Sequence, residues 1–296
     1  MRYCAVLAPI VCVLAGCSAP APHGPDTESR GSVPSVQKAD TDSDGDGIPD
    51  IIENNGIDHV SSDGTSHHLD LKGLRASPTH KDILVWVDWM GQTNVPKRHG
   101  HKPRGDALQI VKDSFSNAAV SNPDGGKGIN LIVVISPEPV PHQTVVGTVG
   151  SNNESDVWAA FDKIKDSHFP KALAPFFHYC LFAHDIGLHP HDTSGISRGI
   201  PASHFIVSLG SWGNSVGTED EQAGTFMHEL GHNLGLHHGG ADESNYKPNY
   251  LSVMNYFFQT DGLLVPPEAM RFNYSHTQFR DLDERDLDET KPSLAI

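Results

Sequence analysis

The chain has 296 residues, with 37 acidic against 21 basic side chains and a formal net charge of −16. That charge excludes nucleic acid and an anionic membrane surface as electrostatic partners, and no apolar run reaches the roughly 20 residues of a membrane-spanning helix. The length suits one sizeable domain with appendages, and the acidic balance fits an exported, calcium-holding protein that is expected to be monomeric.

Residues 1–17 read as an export signal, with Arg2 as the positive start and 5–15 as a short apolar core. Leu14-Ala15-Gly16-Cys17 then matches the bacterial lipobox, in which the cysteine is lipidated and becomes the new N-terminus. An ordinary signal peptide cut at a small residue is the alternative. Acyl chains on Cys17 would be the chain's only hold on a membrane. Ser18 stands where the inner-membrane retention signal has Asp, so the outer membrane or cell surface is expected, with release from the cell as the alternative. With Cys4 and Cys12 removed and Cys17 lipidated, Cys180 alone remains, and no internal disulfide is expected. Cys180 sits in an apolar run and reads as a buried thiol. Residues 18–39, rich in Pro, Ser, Gly and Ala, form a flexible tether.

An acidic loop follows over 40–58. With Asp42 at loop position 1, Asp44 falls at 3, Asp46 at 5, Gly47 at the sharp turn, Ile48 at the carbonyl position 7, Asp50 at 9 and Glu53 at 12. That is the oxygen-ligand schedule of a structural Ca2+ loop. No helix pattern precedes it, so it resembles a thrombospondin type 3 or dockerin-like repeat more than an EF-hand pair. An acidic, solvated linker is the competing reading.

Residues 59–77 are polar and carry no periodic signal, and His67-His68 is not read as a metal site. The main domain is expected over 78–296. An apolar run at 83–89 reads as a strand buried on both faces. A loop with His99, His101 and Pro103 leads to a helix marked by Ala107, Ile110, Val111, Ser114, Phe115 and Ala118. Asn122-Pro123-Asp124-Gly125-Gly126 is a turn. Strands are expected at 129–135 and 176–184, with a helix at 154–166 between them. Alternation of strand and helix implies a sheet with helices against it. Residues 185–199 read as a loop, whose His189 and His191 are exposed first and a second zinc pair only as the alternative. A further strand is expected at 203–209, and an acidic helix at 282–289.

The stretch that organises the rest is 218–256. Thr218-Glu219-Asp220-Glu221 has the form of a capping box, and Ala223, Phe226, Met227, Leu230 and Leu234 recur at helical spacing. His228 and His232, four apart, share one face of that helix, so both imidazoles reach one ion. Gly235 is where the helix stops in a left-handed turn, swinging His238 back as a third nitrogen ligand. Glu229 stands beside the first histidine, in reach of an activated water. Three protein ligands with a fourth position open is the arrangement of a catalytic Zn2+. Ser252-Val253-Met254-Asn255-Tyr256 follows downstream.

These residues resemble the metzincin clan of zinc metalloendopeptidases, whose long zinc motif is followed by a methionine-containing turn. The resemblance covers 218–256 closely and roughly 78–290 loosely. It implies an α/β (α+β) catalytic domain: a twisted mixed sheet with an antiparallel edge strand, an active-site helix, the Met-turn and a small C-terminal subdomain. It implies His228, His232 and His238 as zinc ligands, Glu229 as general base and Met254 beneath the metal. Tyr256 matches the tyrosine that lies near zinc in the astacin- and serralysin-like branches, with a packed tyrosine as the equal alternative. In the clan, the strand just upstream of the zinc helix is the sheet edge that binds extended substrate, which places that edge at 203–209. An edge strand offers unpaired backbone groups, so protein or peptide substrates add as one more strand. A non-catalytic surface protein and a zinc hydrolase of non-protein substrates are the competing classes.

Overall fold

The structure is a computed structural model that describes residues 41–92, 99–188, 193–263, 272–277 and Arg285. The signal, Cys17, the tether, His189, His191 and all of the expected C-terminal helix except Arg285 lie outside the described residues. Helix α1 (Asp50–Asn55) leads into a hairpin of β1 (Ile57–Val60) and β2 (Ser66–Leu69). Then come β3 (Asp82–Trp89), α2 (Gly105–Ser116), β4 (Asn130–Ile135), α3 (Glu154–His168), β5 (Phe177–Ala183), β6 (Gly195–Ser197), β7 (His204–Ser208) and α4 (Glu219–Asn233). Among the described residues no helix is long and apolar enough to cross a membrane.

The main sheet has the order β4-β3-β5-β7-β6. Its first four strands are parallel, and β6 runs antiparallel to β7. The fold class expected from the sequence is therefore the fold observed, a mixed sheet with an antiparallel edge. The edge itself is elsewhere. The strand upstream of α4, β7, is internal and parallel to β5, and the antiparallel edge is β6, inside the stretch read as a loop. The physical reason is burial: Phe205, Ile206, Val207 and Ser208 are all enclosed, and a strand covered on both faces belongs inside a sheet. β6 is three half-buried residues with no apolar run to betray it. The hairpin was equally silent, because its residues are mostly polar and exposed.

The sheet separates two cores. On one face, Ile83, Val85 and Val87 of β3 pack with Val111 and Phe115 of α2 and Phe226 and Leu230 of α4. On the other, Leu84 and Trp86 meet Trp158 and Phe161 of α3 and Ile48, Ile57 and Leu71 from the N-terminal segment. Alternation along β3 makes this division, since successive side chains point to opposite faces. Cys180 is buried and unpaired in the first core, as expected.

Inside the sheet, Asp88 is fully buried. Its carboxylate accepts from Trp86 Nε1 at 3.0 Å and from the Tyr179 hydroxyl at 2.9 Å. A buried carboxylate that loses a donor bears the desolvation cost. Tyr179→Phe should destabilise the fold by about 1–3 kcal/mol, read as a lower urea midpoint at unchanged m-value.

Candidate active site

Helix α4 begins where the capping box places it: the Thr218 side chain accepts from Glu221 N at 3.2 Å, and the Glu221 carboxylate accepts from Thr218 N at 2.6 Å. It ends at Asn233, and Gly235 turns the chain at φ 93°, a left-handed conformation that costs glycine nothing. The return brings His238 to His228 and His232. Ring centres stand 4.7 Å apart for His228–His232, 4.8 Å for His232–His238 and 5.4 Å for His228–His238. One nitrogen from each lies within 4.8 Å of the others. His228 Nδ1 donates to the Val253 carbonyl (2.9 Å) and His232 Nδ1 to the Leu236 carbonyl (2.7 Å). Those bonds orient both rings and leave Nε2 as the lone-pair donor, the outer-shell arrangement of metal-binding histidines. Burial pushes all three imidazoles down, His232 to about 4, so they are neutral, as a ligand must be. The donor set fits one divalent metal with a fourth position open.

Glu229 is buried beside them. Burial pushes its carboxyl up to about 8, against the pull of the Ser197 backbone N–H. Its side chain lies along the edge strand: a Cβ on Gly195 would stand 3.0 Å from Glu229 Oε1. Tyr256, a residue held open between two roles by the sequence, has its ring centre 4.5 Å from that of His238 and 5.4 Å from that of His228. It is about half exposed, and burial of the rest raises its hydroxyl pKa, so it stays a donor. Met254 is fully enclosed. A Cβ on Gly231 would overlap the Met254 sulfur and reach within 2.8 Å of the Tyr274 ring.

The acidic loop folds into two overlapping carboxylate clusters, Asp42–Asp44–Asp46 and Asp46–Glu53–Asp82. Asp42 accepts from Gly45 N and Gly47 N. Both oxygens of Asp50 are taken by Ser43. Ile48 N donates to Asp46 at 2.8 Å, and the Ile48 side chain joins the second core. Asp82, at the start of β3, is a member the sequence reading missed, since only the folded chain brings β3 to the loop. Glu53 is fully buried, and neither of its oxygens has a hydrogen-bond partner; nor has Asp44 Oδ2. Burial, with the neighbouring carboxylates adding to it, raises Asp46 to about 7 and pushes Glu53 and Asp82 up as well. Orphaned buried carboxylate oxygens of this kind fit a hard cation. Four histidines, His99, His101, His142 and His184, form a further cluster.

A model of the Peptidase M66 family matches residues 194–255, which run from the edge strand through α4 to the Met254 turn. No curated protein matches the chain. The family match supports a peptidase function, and it falls on the segment that carries the three histidines and Glu229.

Gly231→Ala tests the packing under the histidines. Overlap with Met254 should cost about 1–3 kcal/mol, more than the roughly 1 kcal/mol that alanine returns as a helix former. Net loss of stability in urea is expected; a gain would show that Met254 does not sit against α4.

Proposed function

We propose that the protein is a zinc-dependent endopeptidase that cuts extended polypeptides outside the cytoplasm, held to the outer membrane or cell surface by lipid on Cys17. The observation that carries the peptide-cutting part is the convergence of His228, His232 and His238 beside buried Glu229, within the peptidase-matched segment. The anchor rests on the lipobox sequence alone. Zinc bound by the three imidazoles would polarise the scissile carbonyl and lower the pKa of water toward about 7.

The chain's own groups supply the rest. Glu229 takes a proton from the attacking water and returns it to the leaving amine nitrogen. Tyr256 donates a hydrogen bond to the oxyanion that develops at the scissile carbonyl. The outer edge of β6, unpaired among the described strands, offers backbone groups to a substrate strand. That edge replaces the one expected at 203–209, and the Gly195 contact sets it directly beside Glu229. Glu229→Gln keeps the shape and removes the base. It should lower casein cleavage by about 10²–10⁴-fold with zinc content unchanged, and cleavage at the wild-type rate would refute the role.

We further propose that calcium occupies the acidic corner, with Asp82 added to the ligands expected from the loop. The sign of its pH dependence follows from the raised carboxyls. Each titrates higher in the folded chain than in the unfolded one, so without a cation its contribution is present below the unfolded pKa of about 4. It is lost as pH rises through the folded value, about 7 for Asp46. A bound dication favours the ionised forms and reverses the trend. In a calcium-selective chelator, Tm should therefore fall from pH 5 to pH 8. Saturating calcium should restore about 5–10 °C at pH 8 and less at pH 5. A Tm indifferent to calcium at pH 8 would sink the assignment.

A further inference from the structure

We infer that His99, His101, His142 and His184 form a second, closed transition-metal site, tetrahedral and zinc-type, that staples the loops at the carboxyl ends of β3, β4 and β5. Parallel strands deliver their following loops to one edge of the sheet. His99 and His101 follow β3, His142 follows β4, and His184 is the residue after β5. Four imidazoles from three loops meet there, one nitrogen from each within 4.8 Å of all the others.

The geometry is that of a tetrahedron. The six ring-centre distances are 5.1 Å for His99–His101, His99–His184 and His101–His184, 5.2 Å for His142–His184, 5.4 Å for His101–His142 and 5.6 Å for His99–His142. Six near-equal separations among four points define a tetrahedron. Zinc–nitrogen bonds of about 2.0–2.1 Å, with each ring centre about 1.1 Å further out, would set neighbouring centres about 5.2 Å apart and neighbouring nitrogens about 3.3 Å apart. His184 Nδ1 stands 3.2 Å from both His99 Nε2 and His101 Nε2. His142 Nε2 is buried with no hydrogen-bond partner, which hydrogen bonding among the histidines does not explain and a metal does.

The backbone supports the cluster independently of any ion. His101 N donates to the Met90 carbonyl, Met90 N to Phe182 and Val140 N to Trp89, so the loops are held before a ligand arrives. The contrast with α4 is chemical: three imidazoles leave a position for substrate, whereas four close the shell and mark a structural ion. The inference does not rest on the peptidase reading.

Zinc titration of the metal-stripped protein, in excess calcium to fill the acidic corner, tests it. Zinc retained after gel filtration is measured by elemental analysis. The expected result is two zinc per chain for the wild type. His142→Gln, at a half-buried position, should retain one tightly and hold the other at least about tenfold more weakly. Its near-UV circular dichroism should match the wild type, showing that the fold is kept. A His228→Ala/His232→Ala variant should still retain one. A His228→Ala/His232→Ala variant that retains no zinc, or a His142→Gln variant that binds as much zinc as tightly as the wild type, would overturn the site.

Discussion

Every residue of α4 from Gln222 to Asn233 is buried, and that burial governs the rest of the structure. An amphipathic helix leaves its polar face in water; this one takes two histidines, a glutamate, a glutamine, an asparagine and a threonine inside. Apart from the Thr225 hydroxyl, which has no partner, these buried polar groups are hydrogen-bonded, and their partners tie α4 to its surroundings. Gln222 accepts from Arg104 N, at the start of α2, and donates to the Val216 carbonyl. Asn233 accepts from or donates to His178 on β5, Ser197 on β6 and the His204 carbonyl on β7. His228 and His232 hold the carbonyls of Val253 and Leu236, and Tyr274 bonds the Met227 carbonyl. The requirement that makes the helix costly to bury also aims its histidines at one point.

The same logic recurs at three places around the sheet. At the amino end of β3, carboxylates converge with oxygens left bare. At the carboxyl ends of β3, β4 and β5, four imidazoles converge. On α4, three do. Groups that repel or desolvate one another, packed this closely, are explicable when a cation supplies the missing charge or Lewis acid. Lys81 supplies part of it at the acidic corner, through its bond to the Asp44 carbonyl and its attraction for the Asp44 carboxylate. One ammonium does not balance the five carboxylates of the two clusters.

What the sequence displayed was whatever is local. The parallel strands showed as continuous apolar runs because they are covered on both faces, and α4 showed through its cap, its spacing and Gly235. The three-histidine cluster was legible because two of its histidines are one helical turn apart and the third lies just past the stop. The four-histidine site was not, since its members are separated by whole strand–helix units. A signal existed: His99, His101, His142 and His184 each follow a strand, and strands that run parallel end at one edge. Asp82 escaped for a similar reason, being the first residue of a core strand and only a neighbour of Glu53 after folding. β6 escaped because three half-buried residues have no period.

The division of the core by the sheet bears on how these sites relate. Asp82, Leu84, Trp86 and Asp88 alternate with Ile83, Val85 and Val87, and Leu84 and Trp86 face the core that holds α3 and the N-terminal segment. The acidic corner therefore braces the α3 side: Asp46 accepts from Asp82 N at 2.6 Å, and Ile48 packs beneath. The histidines of α4 belong to the opposite side, with Phe226 and Leu230 against Val85 and Val87. The acidic corner and α4 are joined through the sheet, whose parallel ladders are continuous from β4 to β7. Loosening the N-terminal segment would thus strip cover from the α3 core first, since the histidines of α4 lie on the other face. Both cores share the same sheet, since β3, β4, β5 and β7 each send residues to both faces.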